Sequence, residues 1–298
     1  MSEVHRAHLW QLVMINAIWG FNIVAVKLSA DRFPPVFLTF LRFLVVGLAV
    51  WPWLRTRRGE MRWLLIAATC SGGLQFALMY SGVALSENMS SVAVSGQLGV
   101  PFATLLSVAL LGERIHWRRW LGIFMSFVGV VLIGFSPEVF HSWAGLLLVV
   151  VAAFIGAVGL VAIKRVRELE PLELQAWLAW GSVPLLLPLS LLLEDGQWQS
   201  LFTAGTTGWG ALLYSAVLAS LVAHTAYFAL IRRYPVSSVA PVTVLTPLFS
   251  VLFSVLLLGD TLDGRMIVGS LLTLTGVTVI LLRERRTATG TAPAPRPP

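Results

Sequence analysis

Polar and aromatic side chains interrupt the apolar runs of this chain, and their chemistry suits contact with a solute. Trp19 and Asn22 lie three residues apart, and therefore on one face of a helix. An indole wall beside an amide suits an amphiphilic solute, although the same pair could instead clamp a neighbouring helix. Ten positions are predicted to bind a substrate: Trp19, Asn22, Arg42, Gln75, Met79, Tyr80, Gln97, Trp177, His224 and Tyr227.

Two of these candidates have ionisable side chains within apolar runs. Arg42 lies seven residues after Pro35, about 10 Å into its helix. Its guanidinium either reaches back to the interface, or pairs within the protein, or meets a substrate carboxylate. His224 is either a hydrogen-bonded interior histidine or a substrate or proton site near neutral pH. Polar groups at membrane depth are costly, so they usually face the interior of the protein or a wet cavity. The alternatives stay open for both residues.

Carboxylates are absent from the middle of every apolar run. The carboxylates that usually serve as a proton relay or as sodium ligands are therefore missing, and any solute movement is expected to be weakly coupled or uncoupled to an ion. The sequence also lacks a Gly-rich phosphate loop, a Ser/His/Asp set and a cluster of metal ligands. It predicts no cofactor, no metal site and no enzymatic activity.

Composition places these residues in a membrane. Hydrophobic residues make up 57% of the chain and charged residues 12%, about half the roughly 25% of soluble proteins. A bilayer core needs about 20 apolar helical residues per span. The sequence therefore predicts an all-α polytopic membrane protein with ten transmembrane helices: Leu9–Leu28, Pro35–Leu54, Trp63–Leu85, Val92–Leu111, Arg118–Phe135, Trp143–Ile163, Leu172–Leu193, Thr207–Ile231, Ser238–Leu258 and Met266–Leu282.

One segment of the chain occurs twice. Tyr80–Gly134 aligns on Tyr227–Leu281 without a gap, at a shift of 147 residues and with 18 identities in 55 positions. Pro101 and Pro247 weaken the helices that contain them and are the predicted hinges. The repeat predicts three parts: residues 1–136, residues 137–286 as a second copy, and a disordered cytoplasmic tail at 287–298.

Lys and Arg give the predicted orientation. Alternate loops carry 17 of these residues on one side and 3 on the other, with Arg42 inside a helix. The richer side is expected to be cytoplasmic and to hold both termini. Five helices per copy is an odd number, so the second copy enters the membrane inverted, as in many secondary transporters. The net charge of +7 sits in short loops, which argues against nucleic acid as a partner.

Several short motifs follow one another along the first copy: Trp19-Gly20-Phe21-Asn22 with Lys27, Leu41-Arg42-Phe43, and Leu111-Gly112-Glu113 followed by Gly122 and Gly129. Taken in this order, they resemble the EamA-type branch of the drug/metabolite transporter superfamily, and within it the bacterial aromatic amino acid exporters. The resemblance implies two inverted five-helix repeats around a central cavity, with the fifth and tenth helices outside it. The second copy departs from the pattern, since Gly156 and Gly159 stand where Trp19 and Asn22 would be.

These observations favour an inner-membrane secondary transporter of bacteria. It is expected to export amino acids or similar small metabolites by alternating access. Among the amino acids, the aromatic and other neutral ones are the expected substrates. A multidrug or other metabolite carrier of the same fold is the second hypothesis. A membrane-embedded enzyme or a lipid flippase is the third. The expected partners are a small-molecule substrate and membrane lipid, and the protein is expected to be a monomer.

Overall fold

The computed structural model describes residues 6–57, 59–112, 115–166, 169–234 and 240–289. Throughout these residues the regular structure is helical, without any strand. Nine of the described helices are long and apolar enough to cross a membrane, and a shorter apolar helix, Val242–Leu258, lies at the ninth predicted position. The predicted class, an all-α multi-pass membrane protein, is confirmed.

We number the ten long helices in chain order. They are α1 (Arg6–Ala30), α2 (Pro35–Val50), α3 (Met61–Leu85), α4 (89–111), α5 (Trp117–Gly134), α6 (Trp143–Ile163), α7 (Pro171–Leu193), α8 (205–233), α9 (240–258) and α10 (Gly264–Thr289). Two short helices, Pro137–Phe140 and Gln197–Thr203, lie in the connections before α6 and α8. The main neighbours are α1 with α9, α2 with α7, α3 with α6, and α5 with α10.

Glycines end α4 and α9 in the same way. Gly112 and Gly259 adopt the left-handed conformation, with φ of 69° and 76°. Glycine reaches this conformation without steric cost, which makes it a common residue just after a helix. Gly259 lies 147 residues after Gly112, so the two copies of the repeated segment share this helix end.

Irregular turns interrupt the helices that surround the interior. The π-helical segment of α3, Ala68–Leu74, has a counterpart in α8, Tyr214–Ala223. In α4 and α9, 3₁₀ turns at Gly96–Leu98 and Ala240–Val244 precede Pro101 and Pro247. Such turns often mark functional sites and hinges. The hinge role of the two prolines stays a prediction.

A seam of small residues joins α5 to α10: Gly122, Ser126, Gly129, Gly269, Thr273 and Gly276. A Cβ added at Gly129 would lie 2.5 Å from the carbonyl oxygen of Gly269, and one at Gly122 would lie 2.7 Å from that of Gly276. The contacts are reciprocal, because Gly269 and Gly276 lie 147 residues after Gly122 and Gly129. A two-fold relation between the copies produces reciprocity of this kind. The inversion itself stays a prediction.

Charged groups fasten both ends of the α2–α7 interface. The Glu194 carboxylate accepts hydrogen bonds from the backbone N–H groups of Val36 and Phe37, at 2.7 and 2.9 Å. The N–H groups in the first turn of a helix have no carbonyl acceptor within that helix, and Glu194 supplies an acceptor for these two. At the other end, Arg57 donates to both oxygens of Glu173, at 2.6 and 2.7 Å. A bidentate pair of this type is directional and strong.

Some predictions fall outside the described residues. They include Glu113, residues 237–239 of the repeated segment, and positions 290–298 of the tail. The three-part division of the chain and the cytoplasmic placement of both termini also stay predictions.

Candidate functional site

The interior of the bundle contains a cavity of about 190 Å³, which we call the main cavity. Helices α1, α3, α4 and α9 enclose it. Five predicted site residues line it: Trp19, Asn22, Met79, Tyr80 and Gln97. The remaining lining residues are Ile23, Val26, Phe76, Val83, Ala93, Gly96, Thr246 and Ser250. The lining is therefore apolar and aromatic, with a few polar groups, as is typical of small-molecule sites.

Two amide side chains in this lining have no hydrogen-bond partner among the described residues, those of Asn22 and Gln97. The Asn22 Oδ1 atom is also buried. Asn16, on the same helix, is different: its Nδ2 donates to Leu12 O at 2.7 Å and its Oδ1 accepts from Thr246 at 2.6 Å. A buried amide without a partner costs about 1–3 kcal/mol. A solute or water in the main cavity would remove that cost.

Trp19 forms a rigid wall of the main cavity. Its Nε1 donates to the Ala219 carbonyl at 3.1 Å, within the π-helical part of α8. Its ring centroid lies 4.9 Å from that of His224 and 5.2 Å from that of Tyr227. His224 Nδ1 also hydrogen-bonds to Ala219 O, at 2.7 Å. The aromatic cluster thus fixes the indole from behind.

A second, smaller cavity of about 60 Å³ lies beyond Phe76, between α2, α3, α7 and α8. We call it the Arg42 cavity. Its polar lining consists of Arg42, Gln175, Ser220 and His224, and its apolar lining of Phe43, Val46, Phe76 and Leu178. Phe76 borders both cavities. Two of the predicted site residues, Arg42 and His224, are therefore adjacent to the main cavity rather than in its lining.

Arg42 does not reach back to the interface. Its side chain is buried, with 4% exposed. Nε and Nη2 donate to the Ser220 hydroxyl at 3.2 and 2.9 Å, and Nη1 donates to the Tyr80 hydroxyl. The guanidinium carbon lies 4.4 Å from the centre of the Phe76 ring. The hydroxyl of Tyr80 thereby links the Arg42 guanidinium to the lining of the main cavity.

Gln75 and Trp177 do not join either cavity. Gln75 packs against α6, where a Cβ at Gly156 would lie 2.4 Å from the Gln75 amide carbon. The glycine leaves the space that this side chain fills. Trp177 Nε1 donates to the Arg55 carbonyl at 3.0 Å, beyond the end of α2. Its indole is held at the α2–α7 interface and is not a wall of the main cavity.

Tyr80 and Tyr227 hold equivalent positions in the repeat but different positions in the bundle. Tyr80 lines the main cavity and is 2% exposed. Tyr227 packs behind Trp19, against Leu12 and Leu230. Of this pair of predicted site residues, only Tyr80 lines a cavity, and Tyr227 is in the lining of neither.

Phe76 and Ser220 were not predicted to be site residues. Each lies four residues before one that was, namely Tyr80 and His224, and residues four apart share a helix face. That spacing was a usable signal for Phe76. It was weaker for Ser220, because the π-helical turn shifts the register. The approach of Ser220 to Arg42 depends on tertiary packing.

At one end of the bundle, hydrogen bonds join the start of α4 to the loop that follows α9. Asp260 Oδ2 accepts from the backbone N–H and the hydroxyl of Ser90, at 2.6 and 2.7 Å. Asn88 Nδ2 donates to the Thr261 carbonyl at 3.0 Å. These contacts fasten the start of α4 to the loop between α9 and α10. This end is the one predicted to face outward.

Comparisons with known proteins agree with this architecture. The chain matches the EamA-like transporter family over residues 8–135 and 143–282. It is 30% identical to a "probable amino-acid metabolite efflux pump" of Salmonella typhimurium, over 93% of this chain and 96% of the relative. It is 24% identical to the "uncharacterized inner membrane transporter YedA" of Escherichia coli K12, over 85% and 83%.

A solved crystal structure has the same fold. It superimposes with a TM-score of 0.63 at 20% identity and covers 95% of this chain and 99% of its own. The two family matches cover both copies of the repeat and nearly the whole chain. They confirm a transporter rather than an enzyme, with a small-molecule substrate. This chain belongs to the EamA-like transporter family.

Proposed function

We propose that the protein is an inner-membrane secondary transporter that exports amino acids or similar small metabolites. Aromatic and other neutral amino acids are the proposed main substrates. The main cavity is the proposed substrate site. The observation that carries the proposal is the pair of unpartnered amides, Asn22 and Gln97, beside the aromatic walls Trp19 and Tyr80. An amphiphilic solute offers polar groups to the amides and an apolar part to the rings.

The substrate class gains support from two sources. A relative that aligns over almost its whole length is named a probable amino-acid metabolite efflux pump. The main cavity has a volume of about 190 Å³, smaller than the roughly 300–1,000 Å³ of sites for drug-sized ligands. Both observations favour a small metabolite over a multidrug substrate.

Alternating access is the proposed mechanism, with the second copy inverted and both termini in the cytoplasm. Reciprocal contacts in two places support the inversion. The first place is the α5–α10 seam. The second is the α2–α7 interface, in the earlier part of each copy, where the shift between the copies is 137 residues, as between Trp19 and Gly156. With this shift Glu173 is equivalent to Val36 and Glu194 to Arg57, and Val36 bonds to Glu194 while Arg57 bonds to Glu173. The bonds of Asp260 to Ser90 would open when the cavity faces outward. The proposed unit is a monomer surrounded by lipid.

Transport is proposed to be weakly coupled or uncoupled to ions. Neither cavity is lined by a carboxylate among the described residues. A proton or sodium relay normally uses such groups within the membrane. Counterflow in proteoliposomes is therefore expected to continue when a pH gradient is collapsed, and its abolition would refute this part of the proposal.

The function is tested by counterflow of labelled amino acids into proteoliposomes that contain only this protein. We expect phenylalanine, tryptophan and threonine to exchange and sugar phosphates not to do so. Gln97→Ala should raise the KM about 3- to 10-fold through the loss of a hydrogen bond to the solute. Gln199→Ala, at an exposed position of the short helix Gln197–Thr203, is the matched control. Absence of counterflow for the whole amino acid panel would refute the proposal.

A further inference from the structure

The buried guanidinium of Arg42 has no carboxylate partner. The three hydrogen bonds that it makes go to the hydroxyl groups of Ser220 and Tyr80. Among the described residues, no Asp or Glu forms an ion pair with it. By contrast, Arg57 at the end of the bundle pairs with Glu173. A buried charge is normally paired, so the charge of Arg42 stands out.

The surroundings of Arg42 hold the guanidinium in place without neutralising it. The Ser220 hydroxyl accepts from Nε and Nη2 and itself donates to the Ser215 carbonyl at 2.8 Å. Gln175 Nε2 donates to the Ser220 carbonyl at 3.1 Å. The Phe76 ring lies against the guanidinium, where a cation is attracted to the face of an aromatic ring. These bonds occupy three of the five N–H donors of an arginine.

The Tyr80 hydroxyl separates this cation from the main cavity. Tyr80 belongs to the lining of the main cavity and accepts a hydrogen bond from Arg42. A hydroxyl oxygen is a weaker acceptor for a guanidinium than a carboxylate, which can bind it with two parallel hydrogen bonds. An anionic group that enters the main cavity can therefore replace the Tyr80 hydroxyl at Nη1.

Neither the main cavity nor the Arg42 cavity offers positive charge an equivalent site among the described residues. No Asp or Glu among the described residues lines either cavity. In the main cavity an ammonium group would meet only neutral acceptors, and the unpartnered Asn22 Oδ1 is one of them. The electrostatic preference of the two cavities is therefore for negative charge.

We propose that Arg42 is an anion subsite that binds the carboxylate of the solute once that carboxylate has displaced the Tyr80 hydroxyl. We also propose that no charged group of the protein binds the amino group of the solute. The inference rests on the proposed function and narrows it. The substrate class becomes carboxylic acids with an apolar part. It includes acids whose amino group is acylated or replaced by a keto group.

The test compares phenylalanine with four analogues, by titration calorimetry on the full chain in lipid nanodiscs and by inhibition of counterflow. N-acetylphenylalanine and phenylpyruvate keep the carboxylate and lose the ammonium. Phenylalaninamide and phenylethylamine lose the carboxylate. We expect the three acids to bind within about 10-fold of one another. The amide and the amine should bind about 10- to 100-fold more weakly, as the loss of a hydrogen bond to a charged group implies.

Variants locate the effect. Arg42→Gln should remove the preference for acids, and Arg42→Lys should keep part of it, because the lysine charge lacks the bidentate geometry. Arg265→Gln is the matched control, since Arg265 is exposed and donates to the Phe135 carbonyl away from both cavities. If Arg42→Gln does not fold, the analogue series on the unmodified chain decides alone.

Each outcome bears on one claim. Equal binding of the acids, the amide and the amine overturns the anion subsite, as does an absence of measurable binding by every acid. Binding of phenylalanine without binding of the acetylated and keto acids overturns the claim that no charged group of the protein binds the amino group. Carboxylate-dependent binding without any counterflow supports the subsite and refutes the transport function. Counterflow without a preference for acids supports the transport function and refutes the subsite.

Discussion

The α5–α10 seam and the main cavity follow opposite rules. In the seam the two copies supply matching residues: Ser126 and Thr273 lie 147 positions apart and approach each other's carbonyl oxygens at 3.4 Å. In the main cavity they do not. Trp19 and Asn22 line it from α1, whereas the equivalent positions of α6, Gly156 and Gly159, pack against α3.

The difference separates packing from recognition. Close helix approach needs small residues wherever two backbones meet, and a duplicated chain meets that need with the same residues twice. A cavity binds one solute in one orientation, so its polar groups have no reason to be duplicated. The predictions below test whether the seam residues serve stability and the cavity residues serve transport.

The largest expected effect is in the seam. Gly129→Val would place a Cβ 2.3 Å from the Thr273 hydroxyl and 2.5 Å from the Gly269 carbonyl, so the two helices must separate. We expect the free energy of unfolding to fall by about 3 kcal/mol, measured by thermal or denaturant unfolding in detergent. Gly210→Val is the control, because nothing lies within 4 Å of a Cβ there. Equal losses in both variants would contradict the role of the seam.

Trp19→Ala should mainly affect transport. Trp19 is half-buried, and loss of its ring removes about 2 kcal/mol of apolar contact with the solute. That loss corresponds to a kcat/KM about 30-fold lower in counterflow. Trp10, 70% exposed near the start of α1, gives the comparison: Trp10→Ala should leave kcat/KM within about twofold. Similar losses of kcat/KM in the two variants would contradict the assignment of Trp19 as a residue that contacts the substrate.

Two asparagines of α1 should respond in opposite ways. Asn22→Ala removes an amide without a protein partner, so we expect about a 3- to 10-fold higher KM and little change in stability. Asn16→Ala breaks the bonds to Leu12 and Thr246 and should cost about 1–3 kcal/mol in the free energy of unfolding. A destabilised Asn22 variant with an unchanged KM would contradict the assignment.

The smallest expected effect concerns the hinges. Pro101→Ala and Pro247→Ala restore a backbone N–H and stiffen α4 and α9. Turnover in counterflow should fall about threefold while the solute dissociation constant stays the same, because opening and closing limit many such cycles. Pro184→Ala in α7, an exposed position, is the control. A change in affinity without a change in turnover would argue against the hinge role.

Sequence reasoning predicted the fold, and five of its ten candidate residues line the main cavity. Long apolar runs and short loops are enough to give a multi-pass helical bundle, because lipid leaves few other structures. Helical spacing placed Trp19 and Asn22 on one face, and both line the main cavity, as do the consecutive residues Met79 and Tyr80. It failed for Gln75, whose position depends on the space that glycine leaves on α6. Pairwise helix spacing cannot supply such cross-helix contacts.

The link between Arg42 and Ser220 illustrates the same limit. Sequence left open whether Arg42 reaches the interface or faces the interior. Burial and two hydroxyl partners show that it faces the interior. The partner lies 178 residues away along the chain, in a π-helical turn that no local pattern predicted. Contacts between distant helices therefore had to come from the structure.

Protection of a single thiol tests the central claim, that the solute occupies the main cavity, most directly. Cys70 is the one cysteine of the chain, so Asn22→Cys in a Cys70→Ala background carries one reactive group. We expect saturating phenylalanine to slow its labelling by N-ethylmaleimide about fivefold or more, as a filled site excludes the reagent, and to leave Gly210→Cys unaffected. Unchanged labelling of Asn22→Cys in a preparation that still exchanges phenylalanine would contradict the account.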